Sequence, residues 1–116
     1  MQAVFFVLKQ LELVDSIMEA LADAGIKGAT AIDSEGMARS LTRLNQNSAM
    51  VHLLKGILSG EDEAHKSKTI FVIVEEEQVE EVKAAIKSVT GELTKPNAGI
   101  MFGIPVSFVE GFSKKM

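Results

Sequence analysis

The 116-residue chain has no cysteine, no tryptophan and no tyrosine, and only two prolines. Without cysteine there is no disulfide, no thiolate zinc site and no cysteine nucleophile, and nothing points to an oxidising compartment. Six phenylalanines are the only aromatics of the Phe/Trp/Tyr set. The core must therefore be aliphatic, and any base-stacking platform would have to be built from Phe. The two histidines, His52 and His65, lack partners at metal-ligand spacing. His52 lies beside Val51 and reads as structural; His65, among Glu61, Asp62, Glu63 and Lys66, reads as solvated. Basic charge is also scarce: the net charge is −4, the pI is near 5.2, and no Lys/Arg-rich stripe occurs. The electrostatic footprint of a nucleic-acid partner is missing, and Lys114-Lys115 reads as a solvated tail. The first apolar run, Ala3–Leu8, is six residues long, against the roughly 20 that span a bilayer. It has no basic n-region and no small-residue cleavage site, so it reads as a buried strand of a cytoplasmic protein without a transmembrane segment.

What is present fits one domain over residues 1–116. Ala3–Leu8 and Thr69–Val74 are unbroken apolar runs, expected as strands buried on both faces. From Leu11 to Ala24 the period changes. Val14, Ile17, Met18 and Leu21 fall on one helical face, with Asp15, Glu19 and Asp23 outside. Gly25 stands where a helix takes a left-handed C′ residue, and Ile26 is placed for the apolar contact of a Schellman close. Gly28–Asp33 is a short strand whose weak alternation leaves its register loosely specified. From Glu35 to Lys68 the chain is mostly polar with no β-pattern, apart from a short amphipathic helix over Asn47–Leu58. Glu75, Glu76 and Glu77 then precede Val79, Val82, Ala85, Ile86 and Val89 at helical spacing. Carboxylates at a helix start complement its dipole, which accounts for the glutamate run without a metal. Thr90-Gly91 closes that helix, Pro96-Asn97-Ala98-Gly99 makes a turn, and Ile100–Val109 is a last strand interrupted at Gly103 and Pro105. Pro105 cannot donate to a ladder, so this strand is an edge or is bulged there.

The element order, two βαβ-like halves, predicts an α+β, ferredoxin-like split β-α-β sandwich: four antiparallel strands with two helices on one face. Four strands apolar on both faces imply that the second face is covered, and oligomerisation supplies the cover. No Ser-His-Asp or carboxylate pair has converging spacing. The motifs G-x-S-x-G, G-x-x-x-x-G-K-[ST] and G-x-G-x-x-G are absent, so the chain does not read as an enzyme.

Three segments resemble the PII family of nitrogen-regulatory signal proteins. The first is Glu19 to Thr30 continuing to Gly36-Met37-Ala38-Arg39; the second is the loop of residues 36–68, in the place of the family's T-loop. The third is Thr90-Gly91, the loop to Gly99 and the strand Met101–Val106, resembling the B-loop and fourth strand. The resemblance implies a cytoplasmic homotrimer with its sheets facing inward. An adenine nucleotide (ATP, ADP, AMP or cyclic di-AMP) would sit in each inter-subunit cleft, and the T-loop would regulate a partner protein. It carries Gly28, Thr30, Gly36, Arg39, Gly91 and Gly99 over as ligand-binding positions, with Arg39 as a bidentate phosphate contact. The chain also departs from the family. Ile100 replaces the B-loop lysine, for which Lys95 is the substitute; Phe71 stands where the third strand has an acidic residue; and the C-terminal phosphate-binding arginines are not found in the sequence, whose only arginines are Arg39 and Arg43. The absence of tyrosine removes the tyrosine modification of some members. The alternatives are a structural or metal-linked trimer of the CutA type and a dimeric ACT-like amino-acid module. Acylphosphatase is excluded because the loop after the first strand, Lys9-Gln10, carries no arginine.

Overall fold

The computed structural model describes residues 1–37, 66–95 and 98–112. Strand β1 (Gln2–Leu8) leads through a 3-10 turn (Leu11–Leu13) into helix α1 (Val14–Asp23); β2 (Thr30–Glu35) and β3 (Lys66–Val74) follow. A second 3-10 turn (Glu76–Gln78) leads into α2 (Val79–Thr90), and β4 (Ile100–Pro105) comes last. The four strands form one antiparallel sheet in the order β2-β3-β1-β4. This is the expected α+β, ferredoxin-like arrangement, with β2 and β4 as its edges.

Alternation along the central strands separates two faces. Val4, Phe6 and Leu8 of β1 and Ile70, Val72 and Val74 of β3 are buried with Ile17 and Leu21 of α1 and Val82, Ala85 and Ile86 of α2 in one aliphatic core. The intervening residues Phe5, Val7, Phe71 and Ile73 point the other way, as the strand period requires. The expectation of four strands apolar on both faces holds for β1, β3 and β4 but not for β2. Toward its end β2 is polar: Ser34 Oγ lies 2.7 Å from Ser67 Oγ and accepts from Thr69 Oγ1 at 3.0 Å, and Asp33 pairs with Lys68 at 3.1 Å.

Those polar partners also correct two boundaries. The stretch from Glu35 to Lys68 was expected to carry no strand, yet β2 runs to Glu35 and β3 begins at Lys66, in a register that sets Asp33 opposite Lys68, Ser34 opposite Ser67 and Glu35 opposite Lys66. Matched cross-strand charges and hydroxyls extend the ladder where no hydrophobic alternation marks it. Thus residues 66–68, placed within the T-loop-like region, belong to the sheet. At its start, β2 begins at Thr30 rather than Gly28. The last strand is shorter than the expected Ile100–Val109. Pro105 lies opposite Gln2 at the end of the ladder, and Val106 N–H donates to Met1 O at 3.1 Å just beyond it. β4 is an edge strand, where a proline is tolerated. The helix expected at Asn47–Leu58 lies outside the described residues.

Local chemistry fixes how each helix begins and ends. Glu75 and Gln78 form a reciprocal capping box ahead of α2, with Glu75 N–H donating to Gln78 Oε1 at 3.0 Å. At the end of α1, Ile26 N–H donates to Leu21 O at 2.9 Å and Gly25 N–H to Ala22 O at 3.0 Å. Gly25 has φ +83° and Ile26 is buried in the core. This is the full Schellman close that the sequence indicates. Replacing Gly25 with Ala forces a side chain into the left-handed region, and equilibrium denaturation at fixed protein concentration should show a loss of about 1–2 kcal/mol. The fold itself should be retained.

Candidate functional site

Strand directions decide which candidate residues can meet. β1 pairs antiparallel with both β3 and β4, and β2 with β3. Leu8, the end of β2 at Glu35, the start of β3 at Lys66 and the start of β4 at Ile100 therefore share one end of the sheet. Gly36 and the connection carrying Gly91, Lys95 and Gly99 lie at that end. They approach it from opposite edges, Gly36 following β2 and Gly99 preceding β4. Two strands intervene, so the edges are about 14 Å apart at ordinary strand spacing. Thr30 lies lower, in the row Phe102–Phe5–Phe71–Thr30 that crosses the sheet, and Gly28 lies beyond it toward the other end. Within one protomer the candidates form two groups, one on each edge. Arg39 and Arg43 lie outside the described residues, as do His52, His65, Pro96 and Asn97.

The connection from α2 to β4 is compact. Gly91 N–H donates to Lys87 O at 2.8 Å, and Ala98 N–H donates to Lys95 O at 3.2 Å. Ala98 is buried, whereas the Lys95 side chain is exposed and open to an anion. Gly99 is set apart by its surroundings. Its φ is +108°, and a Cβ there would lie 2.5 Å from Val7 O and 2.8 Å from Phe6 Cε1. Close packing of the loop on β1 thus accounts for this glycine. At Gly28, Gly36 and Gly91 an added Cβ would meet no atom of the described residues within 4 Å. The backbone at these three positions is accessible to a ligand. Lys27, also exposed, lies at the opposite end of the sheet from Gly99, beside Glu75, Glu77 and Phe112 around a hollow of about 450 Å³. The carboxylates there outnumber the single lysine and disfavour an anion.

The open face of the sheet, away from the helices, carries an aromatic row. Phe5 stacks on Phe71 (centroids 5.7 Å apart, 29° between planes) and on Phe102 (5.2 Å, 7°). Such pairs add about 0.5–1.5 kcal/mol each beyond their burial. Ile100, Phe102 and Ile104 on β4 are 60%, 45% and 47% exposed, and Ile32 on β2 is 49% exposed. Phe5 on β1 is the middle of this row, with Phe71 on β3 and Phe102 on β4 on either side. Among the described residues no group of His, Cys, Asp and Glu could hold a metal ion, and no helix is long and apolar enough to cross a membrane.

The packing at Gly99 predicts a ranking. Gly99→Ala must displace a backbone carbonyl in addition to its backbone strain and should cost about 2–4 kcal/mol. Gly91→Ala, at φ +77° and ψ −173° with no described atom near its Cβ, carries the backbone strain alone and should cost less, about 1–3 kcal/mol. Urea titration of the two variants side by side checks the order.

Comparison with known proteins gives one assignment. No curated protein matches the chain significantly. The family model for nitrogen regulatory protein P-II matches residues 1–115, nearly the whole chain. With its four-stranded antiparallel sheet and two helices, the chain belongs to the P-II family of nitrogen-regulatory signalling proteins.

Proposed function

We propose that this protein is a homotrimeric, non-enzymatic, cytoplasmic sensor that binds an adenine nucleotide between subunits and signals through residues 36–65 to a regulated protein. The observation that carries this reading is the division of the candidate residues between the two edges of one sheet. Gly28, Thr30 and Gly36 stand on or beside β2; Gly91, Lys95 and Gly99 stand beside β4. A ligand touching both groups needs two protomers set edge to edge. The apolar open face supplies a reason for protomers to assemble, because burying Ile100, Phe102 and Ile104 removes a contiguous apolar patch from water.

In such a cleft, Arg39 forms a bidentate contact to phosphate, Lys95 adds a flexible point charge, and the open backbone at Gly28, Gly36 and Gly91 lets the ligand approach closely. Ligand held at the base of residues 36–65 biases that segment's conformation, and the partner protein reads the difference.

Two measurements test the proposal. Phe102→Asp places a charge in the stacked row and should convert a trimer to monomers in light scattering; an unchanged mass would show that the open face is not the interface. Isothermal titration of the trimer with ATP, ADP, AMP and cyclic di-AMP should give saturable heat for at least one of them, weakened tenfold or more by Arg39→Ala. No heat from any of them, in a confirmed trimer, removes nucleotide sensing and leaves the structural trimer of the CutA type.

A further inference from the structure

The helix-covered side of the sheet carries a second hollow, separate from the candidate nucleotide residues. It lies between the flank of α2 and edge strand β4, and its volume is about 470 Å³. That is within the range of small-molecule sites. The hollow exists because Gly103, opposite Val4 in the ladder, offers no side chain where β4 should cover the core. Val4, Val79, Leu93 and Met101 make its apolar lining. Val79, Lys83 and Lys87, at i, i+4 and i+8, form one stripe of α2 along its wall. The side chains of Lys83 and Lys87 are 43% and 36% exposed, so each is partly covered while its ammonium group is within reach of solvent and of a carboxylate.

The geometry points to a binding site for a small monocarboxylate with an unbranched apolar tail, the tail along Val4, Leu93 and Met101 and the carboxylate at Lys83 and Lys87. Both lysines already have carboxylate partners: Lys83 pairs with Glu80 at 3.0 Å and Lys87 with Glu92 at 3.5 Å. These pairs are solvent-exposed and contribute little, so exchanging one of them for a ligand carboxylate is nearly free. Glu92 also lines the hollow while Glu80 does not, so the two lysines are neutralised by two glutamates and a ligand carboxylate binds by displacing one of them rather than by adding to a positive rim. A dianion gains nothing from the apolar floor, and an amine meets two like charges. The site shares no residue with the proposed nucleotide cleft, so either can fail without the other.

The test uses octanoate and the intact protein, following methyl groups by NMR. Saturable shifts are expected at Val4, Leu93 and Met101, with octanol, of equal length and no charge, binding at least tenfold more weakly. Gly103→Leu should abolish binding by filling the hollow. The tight neighbour of a Cβ there is the side-chain end of Gln2, whose Oε1 is 2.7 Å away; moving it gives up one exposed hydrogen bond, from Gln2 Nε2 to Glu76 at 3.2 Å, so the variant should fold. Lys83→Gln with Lys87→Gln should weaken octanoate tenfold or more and leave octanol unchanged, which keeps the proposal testable without Gly103→Leu. Non-saturating shifts, shifts confined to the Ile100 and Ile104 methyl groups on the open face, equal affinity for octanol, or undiminished binding in the lysine double variant would each overturn it.

Discussion

Strand β1, hydrogen-bonded on both sides by β3 and β4, sets the organisation of the molecule. Its residues alternate between two apolar environments. Phe6 and Leu8 are fully buried beneath the helices, and Phe5 is the hub of an aromatic row on the other side. A strand that is apolar on both faces must be covered on both. The chain supplies helices for one face. The demand left on the other face links the core of the protomer to its assembly, and through assembly to any site that draws on two sheet edges.

The sheet order adds a geometric constraint. With β1 and β3 in the centre, β2 and β4 are necessarily the edges, and the glycine-bearing connections beside them cannot approach each other inside one protomer. Glycines that look equivalent in sequence then separate by environment. Gly25 ends a helix, Gly99 lets a loop lie against Val7 and Phe6, and Gly28, Gly36 and Gly91 leave open backbone. Gly103 opens a hollow on the helix side of the sheet. Phe71 completes the stack on Phe5.

Much of the fold was legible because its signals are local and redundant. The apolar runs of β1 and β3, the helical period through Ile17 and Leu21, and the Gly25-Ile26 close each appear where the residues indicate. What was missed depended on pairing. Lys66, Ser67 and Lys68 carry no strand pattern of their own and become strand only because Glu35, Ser34 and Asp33 lie opposite them. The Glu75–Gln78 capping box was readable in principle from its i, i+3 spacing, but the dipole explanation of the glutamate run obscured it. Of the candidate site, the sequence marked the residue types, and Arg39 lies outside the described residues.

The sequence by itself determined the elements, the α+β class and the family, because hydrophobic period, capping chemistry and glycine placement are properties of neighbouring residues. Only the tertiary structure decided which candidates share an end of the sheet, why Gly99 must be glycine, and that the aromatic residues align into one row. Each of these depends on strand register, which brings together residues tens of positions apart in the chain. The alternation of a single strand cannot specify its partner.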